Sequence, residues 1–269
     1  MNSENLPAFA EIGFHSERHL AALHSKAARA NPIQKTCNQS TSSCDAPVTR
    51  YTTSQMAQDT LELMDYVGWK SAHVVGISMG GMIAIELAAS APKRVCSLSL
   101  LVTTRGAYWP HPSMWKPLLG SMLGGSTQCL MELLYPASIL GKPIDGRDGL
   151  TIQEVFTQYH ATPHSKNALP PLYAVIAQGM ACLTHWVSNE RLKEVANSKF
   201  PILIIGSKHD IMIPPENYVT LTEYLKGEHV HSLFFETGGH GVFLQFVEEV
   251  ADAIQQTIKR SQLLTKIIG

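Results

Sequence analysis

Apolar and polar positions change rhythm along this chain, and the changes mark out its elements. Between Thr53 and Tyr66, Met56, Leu61 and Met64 fall on one side at helical spacing, so an amphipathic helix is predicted, with Thr53 as N-cap and Gly68 as its stop. Ala72 to Ile77 is a short apolar run that reads as a buried strand. A helix from Met82 to Ser90, ended by Pro92, and a second strand from Cys96 to Val102 follow. The same alternation returns later: a strand over 201–206, a helix over 215–225, a strand over 230–236 and a helix over 242–260. Strands alternating with helices predict an α/β fold, a mostly parallel sheet with helices on both faces.

Two stretches break the alternation. Residues 105–195 are rich in aromatic and Met side chains, among them Trp109, Met114, Trp115, Tyr135, Tyr173 and Trp186, and read as a mostly helical insertion. The leader, residues 1–43, holds a helix-like piece from His19 to Ala30 and a polar tract from Asn38 to Ser43. No β-branched run there predicts a buried strand. The expected organisation is thus an atypical leader (1–43), a core in two parts (44–104 and 196–263) and a helical lid (105–195).

Composition narrows the class. Of 269 residues, 45% are hydrophobic and 16% charged, which excludes disorder, collagen and coiled coil for the chain as a whole. Net charge is −1, with no basic stripe to suggest a nucleic-acid partner. No run of about 18 apolar residues predicts a membrane span. Cys37, Cys44, Cys96, Cys129 and Cys182 are odd in number and scattered, a poor disulfide framework and a poor zinc set. With no basic, apolar signal at the start, the cytoplasm is the expected compartment.

The chemistry concentrates at Gly76-Ile77-Ser78-Met79-Gly80, a G-x-S-x-G between a predicted strand and a predicted helix. Such a turn is tight enough to project the serine Oγ into a cleft, and Gly76 and Gly80 relieve the clash of strand with helix. The following helix aims its N-terminal N–H groups at the site, so the Met79 N–H is the expected oxyanion donor. Asp210, in Gly206-Ser207-Lys208-His209-Asp210, and His240, in Gly238-Gly239-His240-Gly241, each follow a later strand. Loops at the carboxyl ends of parallel strands converge on one face, where Ser78, Asp210 and His240 can meet. His240 then serves as general base and acid, and Asp210 fixes its tautomer. The plainer alternatives are a turn residue at Asp210, ahead of Pro214 and Pro215, and a surface-loop histidine at His240. His209 reads as a loop residue.

From about Cys44 to Arg260 the chain resembles the α/β-hydrolase superfamily, in its serine-nucleophile branch of esterase-, lactonase- and haloperoxidase-like members. The stretch HVVGISMGGMIAIELAASAPKRVCSLSLL is the most specific part, joined by GSKHDIMIPP and GGHGVFLQF. The resemblance implies hydrolysis of an ester-type bond through an acyl-enzyme, with a lid over a small apolar ester-like substrate. No Walker motif, GxGxxG or metal-ligand spacing is present, so no cofactor or metal is expected. A serine at the elbow argues against an epoxide hydrolase or a haloalkane dehalogenase.

The leader departs from that pattern. Family members carry several strands before the elbow, one ending in an HG-type loop that donates a second oxyanion N–H, and residues 1–43 contain no HG step. The expectation is that the N-terminal strands are missing, as an alternative N-terminus or a mis-joined gene model would produce. The strand 72–77 would then lie at a sheet edge open to self-association. The alternative function is a catalytically silent or truncated relative that acts as a ligand-binding or interaction module.

Overall fold

The computed structural model describes residues 8–12, 51–122, 127–143, 149–161 and 172–268. The expected helix His19 to Ala30 and the polar tract 38–43 lie outside them. Among the described residues, five strands form one sheet: β1 (Ala8–Ile12), β2 (Ala72–Ile77), β3 (Val95–Leu101), β4 (Ile202–Ser207) and β5 (Val230–Phe235). Their spatial order follows the chain, β1-β2-β3-β4-β5, and every neighbouring pair is parallel.

The strand β1 corrects the reading of the leader in one respect. It pairs with β2 from Ala8↔Ala72 to Ile12↔Gly76, so β2 has a neighbour on each side and is not an edge. Ala-Phe-Ala-Glu-Ile carries one β-branched residue, too weak a signal to read as a strand without the neighbour it pairs with.

Helix α1 (Thr53–Tyr66) begins one residue earlier in the cap than expected. Its N-cap is Thr52, whose hydroxyl accepts from the Gln55 N–H while the Gln55 side chain accepts from the Thr52 N–H, a capping box. Thr53 is instead buried and bonds His185. Helix α2 (Met79–Ser90) starts directly at the serine rather than at Met82. The stretch MGGMIAIELAAS is apolar almost all round, and the helix is accordingly buried on nearly every side.

Alternation along the strands divides the core. Val74, Leu98, Leu100, Ile202 and Ile204 face a cluster with α1 and α2. Val75, Leu101, Leu203 and Ile205 point the opposite way, onto Val242 and Val250. The period of two thus buries both faces of the sheet.

Between β3 and β4 lies the helical insertion: α3 (Trp115–Met122), α4 (Thr127–Leu134), α5 (Ala137–Leu140), α6 (Ile152–Ala161), α7 (Leu172–Leu183) and α8 (Asn189–Asn197). Of its aromatic and Met residues, Met114 and Tyr135 are buried, while Trp109, Trp115, Tyr173 and Trp186 are exposed. The insertion is joined to the sheet by two crossing strands of chain. Gly106 bridges Trp186, the Val187 N–H donates to the Arg105 carbonyl at 2.9 Å, and the Arg105 guanidinium lies 4.1 Å over the Trp186 ring. After β4 come α9 (Glu216–Tyr224) and, beyond β5, α10 (Val242–Gln245) and α11 (Val247–Ile268).

Candidate active site

The first piece of the site is the turn from β2 into α2. Ser78 sits there at φ 54°, ψ −121°, a left-handed conformation that a non-glycine residue adopts only under constraint. Gly76 and Gly81 explain how the turn closes. A Cβ on Gly76 would stand 2.5 Å from the Gly80 carbonyl oxygen and 2.6 Å from the Gly81 Cα. A Cβ on Gly81 would stand 2.5 Å from Thr103. Of the two glycines expected to relieve the elbow, Gly76 therefore does so by its missing side chain, while Gly80 contributes the carbonyl that Gly76 must clear. Gly81, the second glycine of Ser-Met-Gly-Gly, is the one the motif alone did not single out.

Ser78 is half-buried and heads α2, with its hydroxyl not used to cap that helix. As the first residue of α2, Met79 has an N–H without a partner inside the helix, and the helix dipole presents positive charge there.

The second piece is the loop after β4. Asp210 is buried, and both of its oxygens are engaged. Oδ1 accepts from the Met212 N–H at 2.9 Å and the Ile213 N–H at 2.8 Å; Oδ2 accepts from His240 Nδ1 at 2.8 Å. A carboxylate can only accept, so the Nδ1 of His240 carries a proton, and in the neutral ring Nε2 then keeps its lone pair. His240 is itself buried. Asp210 is thus more than the turn residue of the plainer reading, and His240 is not a surface histidine. His209, next in sequence to Asp210, is exposed, as expected of a loop residue.

The loop Gly238 to Gly241 is held from several sides. The Ser207 hydroxyl donates to the Gly239 carbonyl at 2.8 Å, the Gly239 N–H donates to Gln245 Oε1 at 2.8 Å, and the Gly241 N–H donates to the Leu134 carbonyl at 2.8 Å. The last bond comes from the end of α4, in the insertion. Glycine is required here by close approach: a Cβ on Gly241 would stand 2.5 Å from the Tyr135 ring, and one on Gly239 would stand 2.6 Å from the Leu134 oxygen.

Asp210 and His240 are therefore joined directly. Ser78 lies at the same carboxyl edge of the sheet, at the end of β2. Next to the acid loop runs the entry to the insertion, where the His111 N–H donates to the Ile211 carbonyl at 2.9 Å. In that segment Tyr108 has its pKa pushed up by burial first, then by Cys182 and Asp210 nearby. Among the described residues, no group of three or more His, Cys, Asp and Glu side chains is arranged to hold a metal ion. No described helix is long and apolar enough to cross a membrane.

A parallel sheet with a helical insertion after β3, an elbow at the head of α2 and an acid–histidine pair on the next two loops has a known counterpart. Residues 23–123 match the family model for the alpha/beta hydrolase fold. The chain has the α/β-hydrolase fold. Solved structures superpose on most of it. The meta-cleavage product hydrolase CumD from Pseudomonas fluorescens IP01 does so with a TM-score of 0.60 at 16% identity, over 81% of this chain and 75% of that one. A thermophilic esterase from Thermogutta terrifontis gives a TM-score of 0.58 at 19% identity, over 79% and 74%. In sequence, a protein of Caulobacter vibrioides that carries the name carbamate hydrolase RutD is 27% identical over 208 residues, 76% of this chain and 71% of that protein. Together these likenesses bear on the fold of the chain.

Proposed function

We propose that this protein is a serine hydrolase that cleaves an ester-type bond, in a carboxylic ester, lactone or thioester, through an acyl-enzyme on Ser78. The observation that carries the reading is the buried 2.8 Å bond between Asp210 and His240 Nδ1, which leaves Nε2 free to act as a base at the edge where Ser78 sits. Relatives named as hydrolases and esterases of the same fold support the reaction class.

In the proposed reaction, His240 Nε2 takes the Ser78 proton as Oγ attacks the substrate carbonyl carbon. The Met79 N–H faces the oxygen on which negative charge develops. Collapse expels the alcohol or thiol, protonated by His240, and water then repeats the cycle to release the acid and restore Ser78. Asp210 stabilises the charged imidazolium throughout. The insertion is the lid of the substrate site, and its apolar residues suit a small apolar acyl or alcohol part. The cytoplasm is the proposed compartment.

A fluorophosphonate probe on the purified full chain tests this. Covalent labelling that disappears in Ser78→Ala, together with Ser78-dependent turnover of a short-chain p-nitrophenyl ester, is the expected result. A folded sample that neither labels nor turns over would overturn the proposal in favour of a silent ligand-binding relative.

A further inference from the structure

The strained elbow needs something to hold it, and the chain just past β3 supplies it from both sides. The Ser78 N–H donates to the carbonyl of Leu101, the last residue of β3, at 2.9 Å. Two residues on, the Thr103 hydroxyl donates to the Ser78 carbonyl at 2.7 Å. Between them Val102 takes φ 43°, a genuine outlier for a β-branched residue, with its N–H tied to the Ile205 carbonyl at 2.8 Å. That kink lets residues 101 and 103 both address Ser78. Thr103 is buried, and its side chain occupies the space that a Cβ on Gly81 would enter. A second strained residue and a glycine are thus both explained by the delivery of one hydroxyl.

The bond falls on a particular peptide unit. The Ser78 carbonyl and the Met79 N–H belong to the same planar trans peptide and point in opposite directions. Fixing the carbonyl on Thr103, alongside the Gly81 and Met82 N–H groups at 2.9 and 3.2 Å, therefore fixes the direction of the Met79 N–H. Hydrogen bonds in series also polarise one another, so donation to the carbonyl makes the N–H at the other end a stronger donor. We propose that Thr103 is a positioning residue for the nucleophile elbow, its hydroxyl aiming and polarising the Ser78–Met79 peptide toward the developing oxyanion. The inference rests on the serine-hydrolase reading and adds to it the group that sets its oxyanion donor.

The test compares Thr103→Val, Thr103→Ala and Thr103→Ser in the full chain, with p-nitrophenyl butyrate as substrate and an alkyl trifluoromethyl ketone as the probe that forms a tetrahedral adduct. Deleting an oxyanion donor outright costs about 10²–10³ in rate, so misaiming one is expected to lower kcat by about 10-fold in the Val and Ala variants, with KM within about twofold. Ketone affinity should fall by the same factor as kcat/KM, because both report the oxyanion. Thr103→Ser keeps the hydroxyl and should stay close to the parent. Should the Val variant not fold, the Ala and Ser variants carry the comparison, since both lose the methyl and differ in the hydroxyl. Equal activity in Ala and Ser, beside a parent whose turnover depends on Ser78, overturns the role of Thr103 and leaves the hydrolase reading standing. A parent without Ser78-dependent turnover removes both.

Discussion

At the scale of single residues, the buried polar side chains are where this protein concentrates its chemistry and its sensitivity to pH. Asp210 is held by two backbone N–H groups and a ring N–H, so the carboxylate is fixed in one orientation. A different histidine governs stability. His185 is buried where the insertion rejoins the sheet, its Nδ1 2.8 Å from the Thr53 hydroxyl and 4.0 Å from Glu86, which pairs with Arg191 at 2.8 Å. Burial lowers its pKa from 6.5 to about 4; the Thr104 backbone opposes the shift and Arg191 adds to it. A histidine depressed in the folded state takes up its proton first in the unfolded chain. Stability is therefore full above about pH 6.5 and falls as pH drops toward 4, by about 3 kcal/mol at 1.4 kcal/mol per unit. Urea unfolding at pH 7, 6 and 5 should show this slope. His185→Gln should be less stable at pH 7 yet show a shallower fall.

Among elements, the notable contact is between the insertion and the histidine loop. The turn between α4 and α5 places Leu134 and Tyr135 against Gly239 and Gly241, and Tyr135 packs at 4.4 Å on the Phe156 ring of α6. The insertion thus forms part of the seat of His240. Gly241 has φ −80°, which alanine adopts freely, so Gly241→Ala acts by crowding the Tyr135 ring and not by backbone strain. Such overpacking costs about 1–3 kcal/mol. The substitution should also lower kcat by displacing His240. In a Tyr135→Ala background the added cost of Gly241→Ala should largely vanish, a coupling that a double-mutant cycle of melting temperatures measures. Additive effects would mean that the two residues do not share this seat.

For the molecule as a whole, the sheet's completeness turns on a short segment. β1 pairs with β2 from Ala72 to Gly76, and β2 leads into the turn at Ser78. Uncovering a buried apolar strand leaves a row of unpaired N–H and C=O groups that templates association. Deletion of residues 1–12 is expected to shift the protein to higher-order species in size-exclusion chromatography with light scattering. A monodisperse product in the same oligomeric state as the full chain would show that β1 is dispensable. The likenesses in sequence and structure concern the fold; the proposed ester chemistry is argued from the local geometry at Ser78, Asp210 and His240.

Periodicity and local chemistry were enough to read β2 to β5 and α1, and to single out Ser78, Asp210 and His240 as candidates, of which the structure joins Asp210 and His240. Each is announced by neighbours in the chain: apolar runs of strand length, a glycine-flanked serine, loops that follow strands. What stayed hidden depends on partners far away in sequence. β1 is a strand because β2 is beside it, and Ala8–Ile12 has no propensity to declare this alone. Thr103 matters because it lies 25 residues from the carbonyl it holds, and Gly81 because Thr103 is there. Leu134 and Tyr135 meet the histidine loop only once the insertion has folded back over the sheet. The sequence by itself determined which side chains are candidates for chemistry and which segments from Thr53 onward form the layers, since both follow from residue type and spacing. Only the tertiary structure decided what aims those side chains, because the aiming is done by hydrogen bonds and close contacts between segments that no local pattern connects.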